Sequence, residues 1–389
     1  MKINKKIFLF IFIILISLIS ISTKLDNYVY SFEPDELIRK NDNNLNSLGL
    51  YLKYIETGNQ EYKNTANMLR AENIDNLSTD DSIALNILSE SIPNNYNFIQ
   101  NKLKNALNNY SNSIILNGLY TVFTFKAWEE DRNLSTEQII IDQSNFIENK
   151  IGINPLSAYH YSYVKWYSNY ISEPRKSFEK LEEIYRNFPE NKSIIELLTT
   201  ISYESHRFDN LENLYQIYSN LNEKNDATLL IFAKGFSKSD QDKKVNPILE
   251  NIINDTNDKY VLASTYELMG DISNTNSQKI KYYETSLDFD PHNPDSLYKL
   301  ANAHYEKDGK ENLNLVRIYL QKSVHYDNTN EKAIALLKRI NYDFMIENFL
   351  INILPYFLVF SFVFFLLYYY INKKPQKERD EIINEEQKD

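Results

Sequence analysis

The stretch Lys281-Tyr-Tyr-Glu-Thr-Ser-Leu-Asp-Phe-Asp-Pro-His-Asn-Pro-Asp-Ser-Leu-Tyr-Lys-Leu-Ala-Asn-Ala-His-Tyr305 decides the fold of this chain. It predicts the end of one helix, a turn and the start of another helix at Pro294. That start is the last of a series with a fixed period of 34 residues, and earlier units begin at Lys192, Asp226 and Tyr260. Such a period indicates stacked helical hairpins, because one hairpin cannot bury its apolar face alone.

The apolar pattern within each unit repeats as well. In the unit that begins at Lys192, Ile195, Leu198 and Ile201 recur at helical spacing, and a polar turn follows them. The other predicted core positions are Leu211, Leu214, Tyr215, Tyr218, Leu229, Phe232, Ala233, Phe236, Val245, Ile248, Leu249, Ile252, Leu297, Leu300, Ala301, His304, Val316, Tyr319, Leu320 and Ser323. Counted backwards, the same period predicts a unit that begins at Ala158.

These residues resemble the tetratricopeptide repeat. The opening stretch looks like the end of one such repeat, of the form YY-E-x-(A/S)-L-x-x-D-P-x-N, followed by the start of the next. The resemblance covers roughly 158–340 and is most specific between about 278 and 327. It implies an all-α fold, a solenoid of antiparallel helix pairs. We expect 23–157 to be helical and continuous with this array, as degenerate repeats.

Two predicted helix starts lie in that upstream region. Ser78-Thr-Asp-Asp81 precedes an apolar helical pattern, and Ser135-Thr-Glu-Gln138 has the form of a capping box. Composition supports the helical interpretation, since 7 Gly and 10 Pro in 389 residues are too few for a turn-rich β protein.

Both ends of the chain carry an apolar segment beside basic residues. The first, Ile7–Ile21, is short for a bilayer and could be a cleaved signal peptide or an uncleaved anchor, whereas Ile353–Ile371 has nineteen residues without a charge. The predicted organisation is a signal peptide or N-terminal membrane anchor at 1–22, a helical region at 23–157, tetratricopeptide-like repeats at 158–342, a transmembrane helix at 349–371 and a charged cytoplasmic tail at 372–389, too short and charged to fold alone.

Charge predicts the orientation and the partners. Basic residues flank the outer side of both apolar segments, so the positive-inside rule predicts both ends in the cytoplasm and the repeats outside it, at the inner or plasma membrane of a cell envelope. Of the formal charge of −11, the part between residues 6 and 372 carries −13. An acidic array is a poor nucleic-acid binder, so we expect protein or peptide partners.

The sequence shows no recognisable reaction centre. Asp288–Asp295 combines carboxylates with His292, but without the Gly and bidentate Glu of a calcium loop it is better interpreted as a turn between repeats. The chain has no cysteine, and we find no catalytic motif, cofactor motif or metal-ligand pair. His304 falls on an apolar stripe and is predicted to be a core histidine with satisfied hydrogen bonds. We therefore expect no enzyme activity, no cofactor and no catalytic or metal site.

The resemblance also implies a binding surface. First helices of tetratricopeptide hairpins line a concave groove, and residues off the apolar stripe face into it. By position these are Tyr159, Trp166, Tyr170, Glu196, Thr200, Tyr203, Lys234, Lys238, Tyr298, Asn302 and Tyr305. The clamp for a C-terminal carboxylate is not reproduced, since Tyr298 stands where a Lys is needed. The expected function is a membrane-anchored scaffold for protein–protein interaction, and the alternatives are a structural subunit of a membrane complex or an enzyme with an unrecognised site.

Overall fold

A computed structural model describes residues 24–72, 77–168, 174–239 and 241–386 of the chain. Within these ranges the regular structure is helical, and no β-strand occurs. Contacts divide the chain between Ser239 and Asp240 into two compact units, called unit 1 and unit 2 below. The predicted signal or anchor segment at 1–22 lies outside the described residues.

Unit 1 begins with a short segment and continues as helical hairpins. The segment contains the 3₁₀ helix Lys24–Tyr30 and helix α1 (Pro34–Ile38). The hairpin helices are α2 (Asn43–Thr57), α3 (Gln60–Ala71), α4 (Thr79–Glu90), α5 (Tyr96–Leu107), α6 (Ile114–Asp131), α7 (Leu134–Ile151), α8 (Pro155–Ser168), α9 (Pro174–Asn187), α10 (Lys192–Glu204), α11 (Leu211–Ser219) and α12 (Asp226–Lys238).

The even-numbered helices of unit 1 are the first helices of their hairpins. Each of them, from α2 to α12, contacts the next even-numbered helix. The odd-numbered helices α5, α7, α9 and α11 pack both on their own hairpin partner and on the first helix that follows. The even-numbered helices therefore form one continuous surface, which we call the first-helix face.

Unit 2 repeats the hairpin arrangement and ends in a long helix. Its helices are α13 (Asp242–Asp255), α14 (Lys259–Asp271), α15 (Asn276–Phe289), α16 (Pro294–Asp308), α17 (Leu313–Tyr326), α18 (Glu331–Asn348) and α19 (Leu354–Glu386), with a 3₁₀ turn at Gly309–Asn312 and a π-helical turn at Phe349–Ile353. Together the two units confirm the predicted all-α fold of tetratricopeptide-like helix pairs.

The predicted period agrees with the observed helix starts. First helices begin at Lys192, Asp226, Lys259 and Pro294, within one residue of the predicted positions. The predicted stripes are buried, except that Tyr215, His304 and Tyr319 are half-buried. The unit predicted from Ala158 begins earlier, at Pro155.

Helix caps follow the sequence in one case and differ in another. Ser78 caps α4 as predicted, because its Oγ accepts a hydrogen bond from the Asp81 backbone N–H at 3.1 Å. The predicted capping box at Ser135 is wrong. Asn133 is the N-cap of α7, and its Oδ1 accepts from the Thr136 N–H at 2.9 Å, so the helix already begins at Leu134. Asn caps a helix as well as Ser does, and it stands two residues earlier.

One helix in the described part of the chain is long and apolar enough to cross a membrane. It runs over Glu331–Tyr370, and none of its most apolar window is buried. Pro355 is the second residue of the helix that follows the π-helical turn, a position in the first turn where a proline is tolerated. Helix α19 continues to Glu386, so the charged residues after Ile371 extend this helix, where the sequence predicted a charged tail that does not fold alone.

Candidate functional site

The structure places the predicted groove residues on first helices. Tyr159 and Trp166 lie on α8, Glu196, Thr200 and Tyr203 on α10, and Lys234 and Lys238 on α12, all in unit 1. Tyr298, Asn302 and Tyr305 lie on α16 in unit 2. Tyr170 lies outside the described residues. Of the described residues in this set, Lys238 is exposed and the others are half-buried.

The first-helix face of unit 1 is partly covered by the chain's own residues 24–38, called the N-terminal segment below. Its 3₁₀ helix packs on α2, α6 and α8. The ring of Phe32 lies 5.6 Å from the ring of Tyr159 and 5.5 Å from that of His160. Just beyond the segment, Arg39 forms an ion pair with Glu223. The predicted groove is therefore not an open channel along its whole length.

Sequence reasoning missed this arrangement, although a signal was present. Leu25, Tyr28, Val29 and Phe32 repeat at spacings of three and four residues, and all four are buried. The segment stands outside the 34-residue frame, so its partners cannot be read from the period.

A cavity of about 120 Å³ lies between the N-terminal segment and helices α2, α6 and α8. Three carboxylates line it, those of Glu33, Glu56 and Glu129. Among the described residues that line it, Lys126 is the one Lys or Arg, and its Nζ lies 3.8 Å from the Glu56 carboxylate. The remaining wall is largely aromatic and includes Phe32, Tyr96, Phe123, Phe125 and the predicted site residue Tyr159.

Polar groups around this cavity have shifted pKa values. Burial, with added repulsion from Glu196, raises the pKa of Glu33 to about 7. Burial also raises the pKa of Tyr28, and the nearby Glu33 and Glu56 raise it further. The Tyr28 hydroxyl is fully buried and has no hydrogen-bond partner. Tyr28 thus lines the cavity, and its unsatisfied hydroxyl is near carboxylates that repel one another.

His160 contributes a neutral ring to the same cavity. Its Nδ1 lies 2.7 Å from the Leu156 carbonyl oxygen, so Nδ1–H donates to that oxygen. Burial lowers the pKa of His160 to about 4, and the ring is neutral at physiological pH. A neutral imidazole therefore adds no positive charge beside the carboxylates.

Farther along the face, Glu196 is held by a hydrogen bond. The Tyr218 hydroxyl on α11 donates to Glu196 Oε1 at 2.6 Å and accepts from the Asn225 N–H at 2.7 Å. The Thr200 hydroxyl donates to the Glu196 carbonyl at 2.9 Å. Glu196 and Thr200 therefore have internal partners that fix their positions. Tyr203 packs its ring 6.3 Å from that of Phe208.

The predicted residues of unit 2 also have internal partners. Asn302 donates to Glu306 Oε1 at 2.8 Å, and the Arg339 guanidinium lies 5.6 Å from the centre of the Tyr305 ring. Tyr298 packs against the core formed by α16, α17 and α18. These residues form a half-buried aromatic surface on α16.

The predicted turn at Asp288–Asp295 is a capped helix start. Asn293 Oδ1 accepts from the backbone N–H groups of Asp295 and Ser296, each at 3.0 Å. In the described ranges, no group of three or more His, Asp or Glu side chains is placed to hold a metal ion. The prediction of a satisfied His304 is wrong: both ring nitrogens are buried without a hydrogen bond, and Asp308 Oδ2 lies 3.5 Å from Nδ1.

The chain is similar to known proteins in the arrangement of its helices and not in its sequence. No family model matches the sequence, and no curated protein matches it. Among solved structures, the chain is similar to YrrB, "a TPR protein with an unusual peptide-binding site", at 10% identity over 50% of this chain and 97% of that chain, with a TM-score of 0.38. It is also similar to human IFIT1 in its dimer with PPP-AAAA, at 14% identity over 83% of this chain and 86% of that chain, with a TM-score of 0.42.

A monomeric IFIT1 mutant with Gppp-AAAA gives a TM-score of 0.44 at 14% identity, over 82% of this chain and 81% of that chain. At these identities the likeness concerns the arrangement of helices. The stacked helix pairs of the chain form a tetratricopeptide-like fold, with a partly covered first-helix face and an acidic, aromatic cavity in unit 1.

Proposed function

We propose that this protein is a membrane-anchored scaffold that binds polypeptide partners through the first-helix face of unit 1. The observation that carries the proposal is the cavity on that face, where carboxylates and aromatic rings surround a buried hydroxyl without a partner. Aromatic side chains supply large contact area at low entropic cost, and they are enriched at sites that dominate binding energy.

Membrane attachment is proposed from the C-terminal helix. The large apolar side chains of Tyr356–Tyr370 are exposed, and a run of this kind needs an apolar surrounding to be stable. Basic residues at Lys373 and Lys374 follow it directly. By the positive-inside rule we propose a cytoplasmic C-terminus and repeats on the extracytoplasmic side of the inner or plasma membrane.

The proposed function is tested by photo-crosslinking in cells. Photoreactive residues replace Trp166 and Tyr203 on the first-helix face, and the matched control replaces the exposed Glu212 on α11. We expect a defined polypeptide to be captured from the two face positions and not from the control. Equal capture from all three positions, or capture of only other copies of this chain, contradicts the proposal and favours the structural-subunit alternative.

The orientation has its own test. The turn between α14 and α15 contains Asn274 and Thr275, and an insertion there leaves both helices intact. A reporter that is active only in the cytoplasm is inserted between these residues. We expect no activity from it. An active reporter contradicts the extracytoplasmic placement of the repeats.

A further inference from the structure

We propose that the cavity of unit 1 binds the ammonium group of a lysine side chain from a polypeptide partner. The inference rests on the proposed function and adds the chemistry that the partner presents. Its first support is charge. Glu33, Glu56 and Glu129 line the cavity with Lys126 as the lining cation, so negative charge is in excess there.

Lys126 does not already act as the bound cation. Its Nζ lies 3.8 Å from Glu56, beyond the distance of a strong charge-assisted hydrogen bond, and its side chain is 36% exposed. A loosely placed, solvated ammonium on the rim screens carboxylates only weakly. Burial raises the pKa of Glu129 even though Lys126 and Arg132 both act to lower it. Lys192 attracts the charge of Glu33, but Glu36, Glu56 and Glu196 repel it, and burial keeps its pKa raised to about 7.

The second support is the Tyr28 hydroxyl. A buried hydroxyl without a hydrogen bond is costly, and such groups in native proteins require an explanation. Tyr28 is 0% exposed, its Oη has no partner, and its electrostatic neighbours are Glu33 and Glu56. An ammonium group has three N–H donors and no acceptor. In the proposed complex one donor is directed to Tyr28 Oη, and the other two are directed to the carboxylates of Glu33 and Glu56.

The third support is the wall of the cavity. Phe32, Tyr96 and Tyr159 line the cavity, and the faces of aromatic rings attract cations. Leu52 and Val122 supply an apolar wall for a methylene stem. Lysine combines a compact charge with a four-carbon stem that can contact the apolar wall. A metal ion makes no apolar contacts, and arginine carries a larger planar group.

The test uses the full-length protein in detergent micelles and a small probe. Both tryptophans, Trp128 and Trp166, lie in unit 1, so their fluorescence reports the unfolding of that unit. The probe is n-butylammonium chloride at pH 8, where Glu33 is ionised and the amine still carries its proton. Matched probes are n-butanol, sodium n-butyrate and n-propylguanidinium, with sodium chloride to equalise ionic strength.

We expect the unfolding temperature to rise with n-butylammonium concentration in a saturable way, and not with n-butanol or n-butyrate. Glu56→Gln, which changes a partly exposed side chain, weakens the apparent affinity about tenfold, the effect of losing one charge-assisted hydrogen bond. Tyr28→Phe keeps the ring and also weakens binding. Glu61→Gln, an exposed change on α3, leaves the affinity unchanged.

The inference is overturned if n-butylammonium has no saturable effect on the unfolding temperature. It is also overturned if the Glu56→Gln variant and the parent chain bind n-butylammonium with equal affinity. Tighter binding of n-propylguanidinium overturns the choice of lysine. These failures are distinct from failure of the proposed function. If a partner is crosslinked at Tyr203 but n-butylammonium has no effect, the scaffold function is supported and the lysine site is contradicted. If n-butylammonium binds but no partner is crosslinked, the lysine site is supported and the scaffold function is contradicted.

Discussion

The ring of Phe32 packs against the ring of Tyr159, with centroids 5.6 Å apart, and this contact joins the N-terminal segment to the first-helix face. The same side chain lies 5.5 Å from His160, and only 9% of it is exposed. Residues directly after the predicted N-terminal anchor therefore pack on the first-helix face, the face proposed to bind partners. The segment forms one wall of the cavity, so the cavity depends on the segment staying in place.

Phe32→Ala is expected to destabilise unit 1 by about 3 kcal/mol, since it removes a buried ring and leaves a void. The measurement is denaturant unfolding of the full-length protein, followed by tryptophan fluorescence. The matched control is Leu134→Ala, because Leu134 is 79% exposed and its truncation should change stability little. Equal effects of the two substitutions contradict the role given to Phe32.

Glu33→Gln is expected to stabilise unit 1 in a pH-dependent way. The folded-state pKa of Glu33 is about 7, above its ordinary value of 4.5, so the folded state holds a proton that the unfolded state releases. Protonated Glu33 therefore makes its full contribution to stability below pH 4.5, and this contribution is lost as the pH rises to about 7. The groups that face it are Glu36 on α1, Glu56 on α2, Lys192 and Glu196 on α10, and the rings of Tyr28 and Tyr159.

At pH 8 the free energy of unfolding of unit 1 should be higher in the Glu33→Gln variant than in the parent chain by up to about 3 kcal/mol. Near pH 4.5 the two free energies should agree. His160 has the opposite effect. Its pKa is lowered from 6.5 to about 4, so its contribution is lost as the pH falls through that range, equally in both chains. A stability difference that does not change between these pH values would show that Glu33 is not a buried, protonated acid.

Lys299→Met is expected to destabilise unit 2 by about 2 kcal/mol. Lys299 Nζ on α16 lies 2.5 Å from Glu267 and 2.7 Å from Asp271, both on α14, so its loss leaves two neighbouring carboxylates without their cation. Faster hydrogen exchange in peptides from α14 and α16 is the measurement. Lys281→Met, on the exposed side of α15, is the control, and matching exchange rates in the two variants would refute the assignment.

Gly270→Ala should destabilise unit 2, although alanine is the better helix former. A Cβ at Gly270 would lie 2.3 Å from the Tyr283 ring, which is held by a hydrogen bond from its hydroxyl to Asp271. Overpacking costs about 1–3 kcal/mol and outweighs the gain in helix propensity of about 1 kcal/mol. At Gly118 the nearest atom is 3.5 Å away, so Gly118→Ala should be neutral or stabilising. Hydrogen exchange distinguishes the two, and a stabilising Gly270→Ala contradicts the close approach.

The sequence predicted the helices whose positions depend on local periodicity. Helix starts near Lys192, Asp226 and Pro294 follow from apolar spacing within each hairpin, and neighbouring hairpins repeat it. The cavity could not be predicted in this way. It joins Glu33, Glu56, Glu129 and Tyr159 from four separate parts of the chain, and no repeat period relates them. Tyr159 was chosen from its helix position, and its role in binding stays a prediction.

The most direct test of the central claim is cysteine labelling, because the natural chain has no cysteine. Lys238→Cys places one thiol on the exposed end of α12 in the first-helix face, and Glu212→Cys places one on α11 outside it. A membrane-impermeant maleimide is applied to intact cells and to the purified protein. The account predicts that the Glu212→Cys thiol reacts in both samples and that the Lys238→Cys thiol reacts fully only in the purified protein, where the partner is absent. Equal reaction of both thiols in cells, or no reaction of either, would contradict it.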